Sequence, residues 1–221
     1  MSRLIRHEFD FDWAREELSQ FSELLKSPDA ELEEAADILP RFRKWPNLCC
    51  LMGAFDAQIG IGNQYKTNYV IGARFECDLL ASRESGTRYV FVEFEDAKKD
   101  SIFKRKSGRD TSYWSLRFNN GYNQIVDWFW LNDSRSVTPE FRAEFGTSYV
   151  VSVGILVVGR DHFLDALDND RWEWRKRFGS TGQNPVIYIE TYDSLYKRLK
   201  ESFDSNLAVA RQLSVGASRH G

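Results

Sequence analysis

Apolar residues at regular spacing predict helices near the two ends of the chain and strands in its centre. Between Ala14 and Leu25, apolar positions recur every three or four residues, which predicts a helix over residues 12–26 with Asp12 as its N-cap. Ser27-Pro28 then indicates a second helix start, and Pro40 should end or kink that helix. We therefore expect a short helical segment ahead of the central strands.

The central and C-terminal parts alternate between strand-like and helix-like patterns. Strands are expected where β-branched and aromatic residues cluster between turn residues, at 69–71, 74–80, 88–95, 149–158 and 185–190, with a short strand around 49–52. Helices are expected over residues 122–132 and 162–178, and from Asp193 as N-cap to about residue 213. This order predicts an α/β fold with a mixed sheet.

The composition narrows the class of protein. A chain of 221 residues with 42% apolar residues suits one large soluble domain, or a core domain behind a short helical segment. No stretch reaches the roughly 18–20 apolar residues of a membrane span, and the charged N-terminus lacks the pattern of a signal peptide. Three Cys and three His without metal-type spacing disfavour a zinc site and predict a cytoplasmic location.

Positive charge is concentrated in one segment although the whole chain is slightly acidic. The net charge is −3, which disfavours a generally cationic surface. Residues 96–117, however, contain seven Lys or Arg against three Asp, a local charge of +4. Such a segment can steer a polyanion to a neighbouring site, and the alternative is a loop that simply keeps its charges in water.

Three carboxylates stand out in the central strands. Glu93 and Glu95 share one face of their strand because successive side chains point to opposite faces. Asp78 lies near the middle of the preceding strand, which is expected to pair antiparallel with it. Adjacent anions suit a hard divalent cation. The alternatives are a strand end that dips into water and a core Asp78 tied to Arg74 or Arg88.

Six motifs in one order give the chain a family resemblance. They are Arg74-Phe-Glu-Cys-Asp78, Phe91-Val-Glu-Phe-Glu95, Ile102-Phe-Lys-Arg-Lys-Ser-Gly-Arg109, Asn123-Gln-Ile-Val-Asp-Trp128, Val157-Val-Gly-Arg160 and Thr191-Tyr-Asp-Ser-Leu195. An Asp on one strand, Glu-x-Glu on the next, a basic segment and a Gln-bearing helix resemble the PD-(D/E)xK nuclease superfamily. More narrowly, residues 31–198 resemble the Shedu family of bacterial anti-phage nuclease domains.

The resemblance implies a fold, an activity and partners. The fold would be a restriction-endonuclease-like mixed sheet flanked by helices, with a helical preface over residues 1–47, a nuclease domain over 48–213 and a flexible tail over 214–221. The activity would be Mg²⁺- or Mn²⁺-dependent hydrolysis of DNA phosphodiester bonds. A homo-oligomer, and a regulatory or defence partner protein, are implied in the same way.

The resemblance also assigns roles to residues of the candidate site. Asp78 and Glu93 would bind the metal, together with Glu33 on the first core helix, where Glu31 and Glu34 are close alternatives. The superfamily usually has Lys at the position of Glu95, whereas Shedu-like domains often carry Glu there and a Lys farther along. The resemblance therefore counts Glu95 among the catalytic residues. The catalytic lysine would then be Lys106 or, less surely, Lys104, and Gln124 would orient water or the scissile phosphate. The expected phosphate contacts are Lys98, Lys99, Lys104, Arg105 and Arg109.

Structural roles remain alternatives for several of these residues. Gln124 fits a helix boundary position, Arg160 a loop brace, and Asp193 a helix N-cap. The missing lysine at position 95 and the negative net charge also leave open a second function. The chain would then be a nucleic-acid-binding or assembly module that keeps the nuclease fold without turnover, on DNA or on RNA.

Overall fold

The computed structural model describes residues 3–84, 86–105, 108, 111–180 and 185–217. Its main feature is a six-stranded mixed sheet in the order β1-β2-β3-β4-β7-β8, beside a two-stranded sheet of β5 and β6. The strands are β1 Ile5–Arg6, β2 Gln64–Ile71, β3 Phe75–Ser82, β4 Arg88–Phe94, β5 Phe103–Lys104, β6 Tyr113–Trp114, β7 Val151–Val157 and β8 Val186–Glu190. Strands β1 to β4 pair antiparallel in succession, whereas β4, β7 and β8 run parallel. The predicted mixed α/β architecture is therefore confirmed.

Helices cover both faces of the large sheet. Among the described residues they are α1 Phe11–Leu24, α2 Leu39–Phe42, α3 Pro46–Leu51, α4 Leu116–Arg135, α5 Pro139–Phe145, α6 Ala166–Ser180 and α7 Tyr192–Ala217, with a π-helical turn over Glu34–Ile38. Buried residues of α1, α2, α3 and α7 form one apolar core, and those of α4, α5 and α6 form the other. Because the central strands are buried on both faces, the sheet needs an apolar core on each side.

Successive side chains of β4 point alternately into the two cores. Val90, Val92 and Phe94 belong to the core beneath α1, α3 and α7, whereas Phe91 belongs to the core beneath α4. Helix α4 packs closely on the sheet because Gly154 of β7 leaves room for it; a Cβ there would lie 2.4 Å from Ile125 Cγ2. The face of β4 that carries Glu93 is therefore the face towards α4.

The chain between α1 and α3 differs from its predicted structure. Residues 27–33 are not helical: Leu32 forms an antiparallel bridge with Ala97 instead. Pro40 does not end the helical segment; it lies just after the point where the π-helical turn Glu34–Ile38 passes into α2. Residues 49–52, expected as a short strand, lie at the end of α3 and the turn that follows it. The apolar run from Leu48 to Met52 does not by itself distinguish a strand from a buried helix.

Two predicted helix caps were also wrong by a few residues. The N-cap of α1 is Asp10, whose carboxylate accepts the N–H groups of Asp12 and Trp13. The N–H of Ser194 is capped by the Thr191 hydroxyl at 3.1 Å, so Asp193 lies inside the first turn of α7.

At each expected domain boundary, a helix runs across the boundary or a strand joins the two sides. Strand β1 extends the large sheet from within the expected helical preface, and α3 runs through residue 47. Helix α7 continues to Ala217 in the expected tail, whose last residues 218–221 lie outside the described part. The division into domains stays a prediction.

Candidate functional site

Asp78 and the glutamates of β4 come together where the β3–β4 ladder ends. Leu79 and Val92 are the last paired residues at this end. Beyond them an Asp78 carboxylate oxygen accepts the backbone N–H of Phe94 at 2.8 Å. The side chain thereby takes the place of a backbone partner, and this bond fixes the carboxylate beside β4.

Burial and mutual repulsion set the electrostatics of this acidic cluster, defined here as Asp78, Glu93, Glu95 and Glu34. Glu93 and Glu95 are 8% and 7% exposed. Burial raises the pKa of Asp78 and of Glu93 well above the usual range, and the neighbouring carboxylates raise both further. Burial also raises the pKa of Glu95 to about 7, although a hydrogen bond from Arg117 opposes that shift.

Glu34, rather than Glu33, is the helix glutamate that acts on the strand acids. Burial and the charge of Asp96 raise the pKa of Glu34, and its own charge raises the pKa of Asp78 and of Glu93. Glu33 is exposed, and its carboxylate is 2.9 Å from Lys98 Nζ. Glu34, one of the two alternatives to Glu33, is therefore the glutamate whose charge acts on Asp78 and Glu93.

A chain of ion pairs borders the acidic cluster. Arg117 of α4 bridges Glu95 Oε2 at 2.8 Å and Asp96 Oδ2 at 2.9 Å, and Lys98 Nζ lies 3.4 Å from the same Asp96 oxygen. The second Asp96 oxygen accepts the backbone N–H of Glu34 at 2.8 Å. The contact of Arg117 with Glu95 could not be expected from spacing along the chain, because it depends on how α4 packs on the sheet.

Gln124 lies in a groove that also reaches Glu95. The groove holds about 630 Å³ along the exposed face of α4, and we call it the amide groove. It is lined by Glu95, Leu116, Arg117, Asn120, Asn123, Gln124 and Asp127. Gly121 brings this helix close, since a Cβ there would lie 3.0 Å from Glu95 Oε1.

Four of the five predicted phosphate-binding residues line one cavity, of about 380 Å³. We call it the basic cavity; the four residues are Lys98, Lys99, Lys104 and Arg105. Three of these cations are already engaged. Arg105 contacts Asp165, Lys98 pairs with Glu33 and Asp96, and Lys104 lies 4.0 Å from an Asp100 oxygen. The predicted catalytic lysine, Lys106, and the fifth predicted contact, Arg109, lie outside the described residues.

A comparison of the sequence with models of known protein families shows which family the chain belongs to. The family model described as "Shedu protein SduA, C-terminal" matches residues 22–196. The chain belongs to the Shedu family. A search of the curated proteins gives no match. Membership of the Shedu family suggests a role in anti-phage defence.

The donor set of this Shedu chain fits a hard divalent cation. Mg²⁺ is usually held by one or two carboxylates with water and substrate phosphates rather than by a closed protein cage. Asp78 and Glu93 offer two such carboxylates, and neither forms an ion pair with any described basic side chain. Among the described residues, no three His, Cys, Asp or Glu side chains form a ready-made metal site. The arrangement therefore suits an ion that substrate helps to hold.

No helix in the described part of this Shedu chain has the length and apolar character required to cross a bilayer.

We expect the metal-free protein to lose stability between pH 5 and pH 8. A carboxyl group whose pKa is raised on folding contributes stability below its ordinary pKa, and that contribution disappears as the pH rises through the folded value. For Glu95 this interval runs from 4.5 to about 7, and the raised pKa values of Asp78 and Glu93 act in the same direction. In urea unfolding in EDTA, the free energy of unfolding should be lower at pH 8 than at pH 5 by about 1–3 kcal/mol.

Asp56 provides an internal contrast for this pH dependence. Although burial raises its pKa, hydrogen bonds from Arg88 lower it more, to a net value below 3.8. Its stabilising contribution is therefore complete above 3.8 and is lost only in stronger acid. Equal stability at pH 5 and pH 8, or greater stability at pH 8, would contradict the repulsion inferred for the acidic cluster.

Proposed function

We propose that this protein is a metal-dependent endonuclease that hydrolyses DNA phosphodiester bonds in anti-phage defence. The observation that carries the proposal is the buried acidic cluster, in which Asp78 and Glu93 repel one another and pair with no described cation. Groups that are expensive to keep ionised are common at functional sites. The Shedu match is consistent with a defence role.

Each carboxylate of the cluster has a distinct task in this proposal. Asp78 and Glu93 would hold Mg²⁺ or Mn²⁺, and the ion would polarise a phosphoryl oxygen and lower the pKa of the attacking water. The N–H of Phe94 keeps the Asp78 carboxylate in place. Glu34 adds a third negative charge. Each proton that these groups carry must leave before a cation is bound.

The amide groove and the ion-pair chain complete the site. Gln124 can donate to a phosphate oxygen and accept from water, because its amide does both. Glu95 stands where the superfamily usually has Lys, and the Arg117 guanidinium at 2.8 Å brings positive charge to that position. Lys106 remains the predicted catalytic lysine, with Lys104, exposed on β5, as its alternative.

The basic cavity is where the DNA backbone would be held. Lys98 links this cavity to the acidic cluster through Asp96, so a strand seated on the cations would pass beside the carboxylates. Lys99 and Lys104 would add contacts to phosphates. Contacts of this kind position a strand without selecting its sequence.

Plasmid and linear DNA incubated with the purified protein provide the test. We expect cleavage with Mg²⁺ or Mn²⁺ and none in EDTA. Glu34→Gln should raise the metal concentration required for half-maximal cleavage by about 10- to 100-fold. Glu33→Gln, one residue away and paired with Lys98 in solvent, is the matched control and should change it little.

The opposite results would overturn the proposal. Absence of cleavage with either metal, together with unchanged phage protection by a Glu93→Gln variant, would exclude a nuclease role. A second function is favoured by the engagement of Glu95 by Arg117: a DNA-binding or assembly module without turnover. DNA binding in EDTA that survives Asp78→Ala, with no cleavage, would select it.

A further inference from the structure

The amide groove differs chemically from the basic cavity, to which a chain of ion pairs connects it. The ion-pair chain gives the order in space: basic cavity, Lys98, Asp96, Arg117, Glu95, amide groove. On one side the lining is rich in Lys and Arg. On the other side, Arg117 is the one cation among the seven described lining residues, and two carboxylates already occupy it.

The helix presents its hydrogen-bonding groups in the amide groove as one row. Asn120, Asn123, Gln124 and Asp127 follow at i, i+3, i+4 and i+7, which places them on a single face of α4. All four are exposed, and none of their side chains has a hydrogen-bond partner among the described residues. Their donor and acceptor capacity is therefore available to a ligand.

Apart from the single contact proposed for Gln124 at the scissile phosphate, this chemistry is poorly suited to holding the phosphates of DNA. Phosphate contacts draw on Lys and Arg because the backbone charge dominates that interaction. The groove has no unpaired cation among its described residues, and Asp127 would repel a phosphate. Side-chain groups of this kind do suit base edges: Asn and Gln pair in bidentate fashion with adenine, and an Asp accepts from the N4 amino group of cytosine.

We propose that the amide groove contacts bases next to the cut, through Asn120, Asn123 and Asp127, and favours adenine over guanine there. The inference rests on the proposed function only in placing DNA across the acidic cluster. Guanine offers two acceptors in its major-groove edge, for which Arg or Lys is the usual partner, and the one Arg of the groove is already engaged. The basic cavity then holds the backbone while α4 selects the base.

Two measurements separate this inference from the nuclease activity itself. Random-sequence DNA is first selected for binding in EDTA, so that no cleavage intervenes, and the bound pool is sequenced. Cleaved ends are then sequenced after brief digestion in Mg²⁺ or Mn²⁺. Both are repeated with the Asn120→Ala/Asn123→Ala double variant. Asn119→Ala is the matched control, since it removes an exposed amide of the same helix outside the groove.

The wild-type pool should be enriched in adenine over guanine by about five- to tenfold at one or two positions. The double variant should lose most of that enrichment while its affinity for bulk DNA falls less than about threefold, because phosphate contacts supply most non-specific affinity. The Asn119→Ala variant should keep the enrichment.

Each contrary result has a definite meaning. A wild-type pool without base preference, a preference for guanine, or enrichment retained by the double variant would overturn the inference. Adenine enrichment that depends on Asn120 and Asn123, without cleavage in either metal, would support the inference and overturn the nuclease proposal. Metal-dependent cleavage without any base preference at the cleaved ends would support the nuclease proposal and overturn the inference.

Discussion

Glu93→Gln is expected to abolish metal-dependent cleavage and to make the metal-free protein more stable. Glu93 is 8% exposed, and burial together with Asp78, Glu95 and Glu34 raises its pKa. An amide of the same shape removes the charge that burial and repulsion disfavour. It also removes one of the two proposed metal ligands, so cleavage should fall at least about 100-fold, the upper end of what outer-shell partners alone cost.

A second buried glutamate at a strand end provides the matched control. Glu190 ends β8 and is 4% exposed, but it is paired with Lys176 at 3.2 Å and Arg198 at 3.3 Å. Glu190→Gln removes the buried charge that Lys176 and Arg198 compensate and should lower the free energy of unfolding. Glu93→Gln should raise it at pH 8, because the group it replaces has no cationic partner among the described residues.

Urea unfolding in EDTA and initial cleavage rates, measured on the same preparations, test the pair of variants. Opposite signs of the stability change in Glu93→Gln and Glu190→Gln are the expected result. Equal losses of stability would show that Glu93 has a structural partner. Cleavage by Glu93→Gln at the wild-type rate would remove Glu93 from the site whatever its effect on stability.

The positions of Asp78 and Glu93 could be predicted from the sequence, because they depend on side-chain alternation and on the pairing of neighbouring strands. Alternation along β4 places Glu93 on one face, and antiparallel pairing with β3 brings Asp78 beside it; both expectations match the observed register and core contacts. The order of strand-like and helix-like segments likewise predicted a mixed sheet, which the structure has. Strand boundaries differed by a few residues where turns and caps compete.

The rest of the site depends on contacts between distant segments, which spacing cannot reveal. Glu34 enters the cluster because Leu32 bridges Ala97, and that bridge replaces the helix predicted from Ser27-Pro28. Arg117 reaches Glu95 through the packing of α4 on the sheet. A favourable local helix start was thus overridden by a tertiary pairing.

Loss of Arg160 should strongly destabilise the fold. Its side chain is 1% exposed and forms a bidentate pair with Asp193 through Nε and Nη2, at 2.9 and 3.0 Å. The same guanidinium donates to the carbonyl oxygens of Leu25, Ser27 and Ala30, at 2.8, 3.3 and 3.2 Å. It therefore ties the end of α1 to the start of α7. This agrees with the loop brace that the sequence left open for Arg160.

Arg160→Ala should lower the free energy of unfolding by about 3–5 kcal/mol, because it leaves a carboxylate and several carbonyl groups without their partner. Arg160→Lys should recover only part of this loss, since an ammonium cannot reach two carboxylate oxygens and three carbonyls from one plane. Arg15→Ala, at an exposed pair with Asp12, is the control and should change stability by less than about 1 kcal/mol. Urea unfolding of the three variants gives these values directly.

The brace also bears on the candidate site, because the carbonyls it holds lie in the segment that leads to Glu34. If Arg160 positions that segment, Arg160→Lys should raise the metal concentration required for cleavage even at temperatures where the variant is fully folded. Its cleavage rate at saturating metal should change much less, because Asp78 and Glu93 lie on strands that Arg160 does not contact. A fully folded Arg160→Lys variant with wild-type metal dependence would confine Arg160 to stability. Loss of cleavage at every metal concentration would instead place Arg160 closer to the chemistry than its buried contacts indicate.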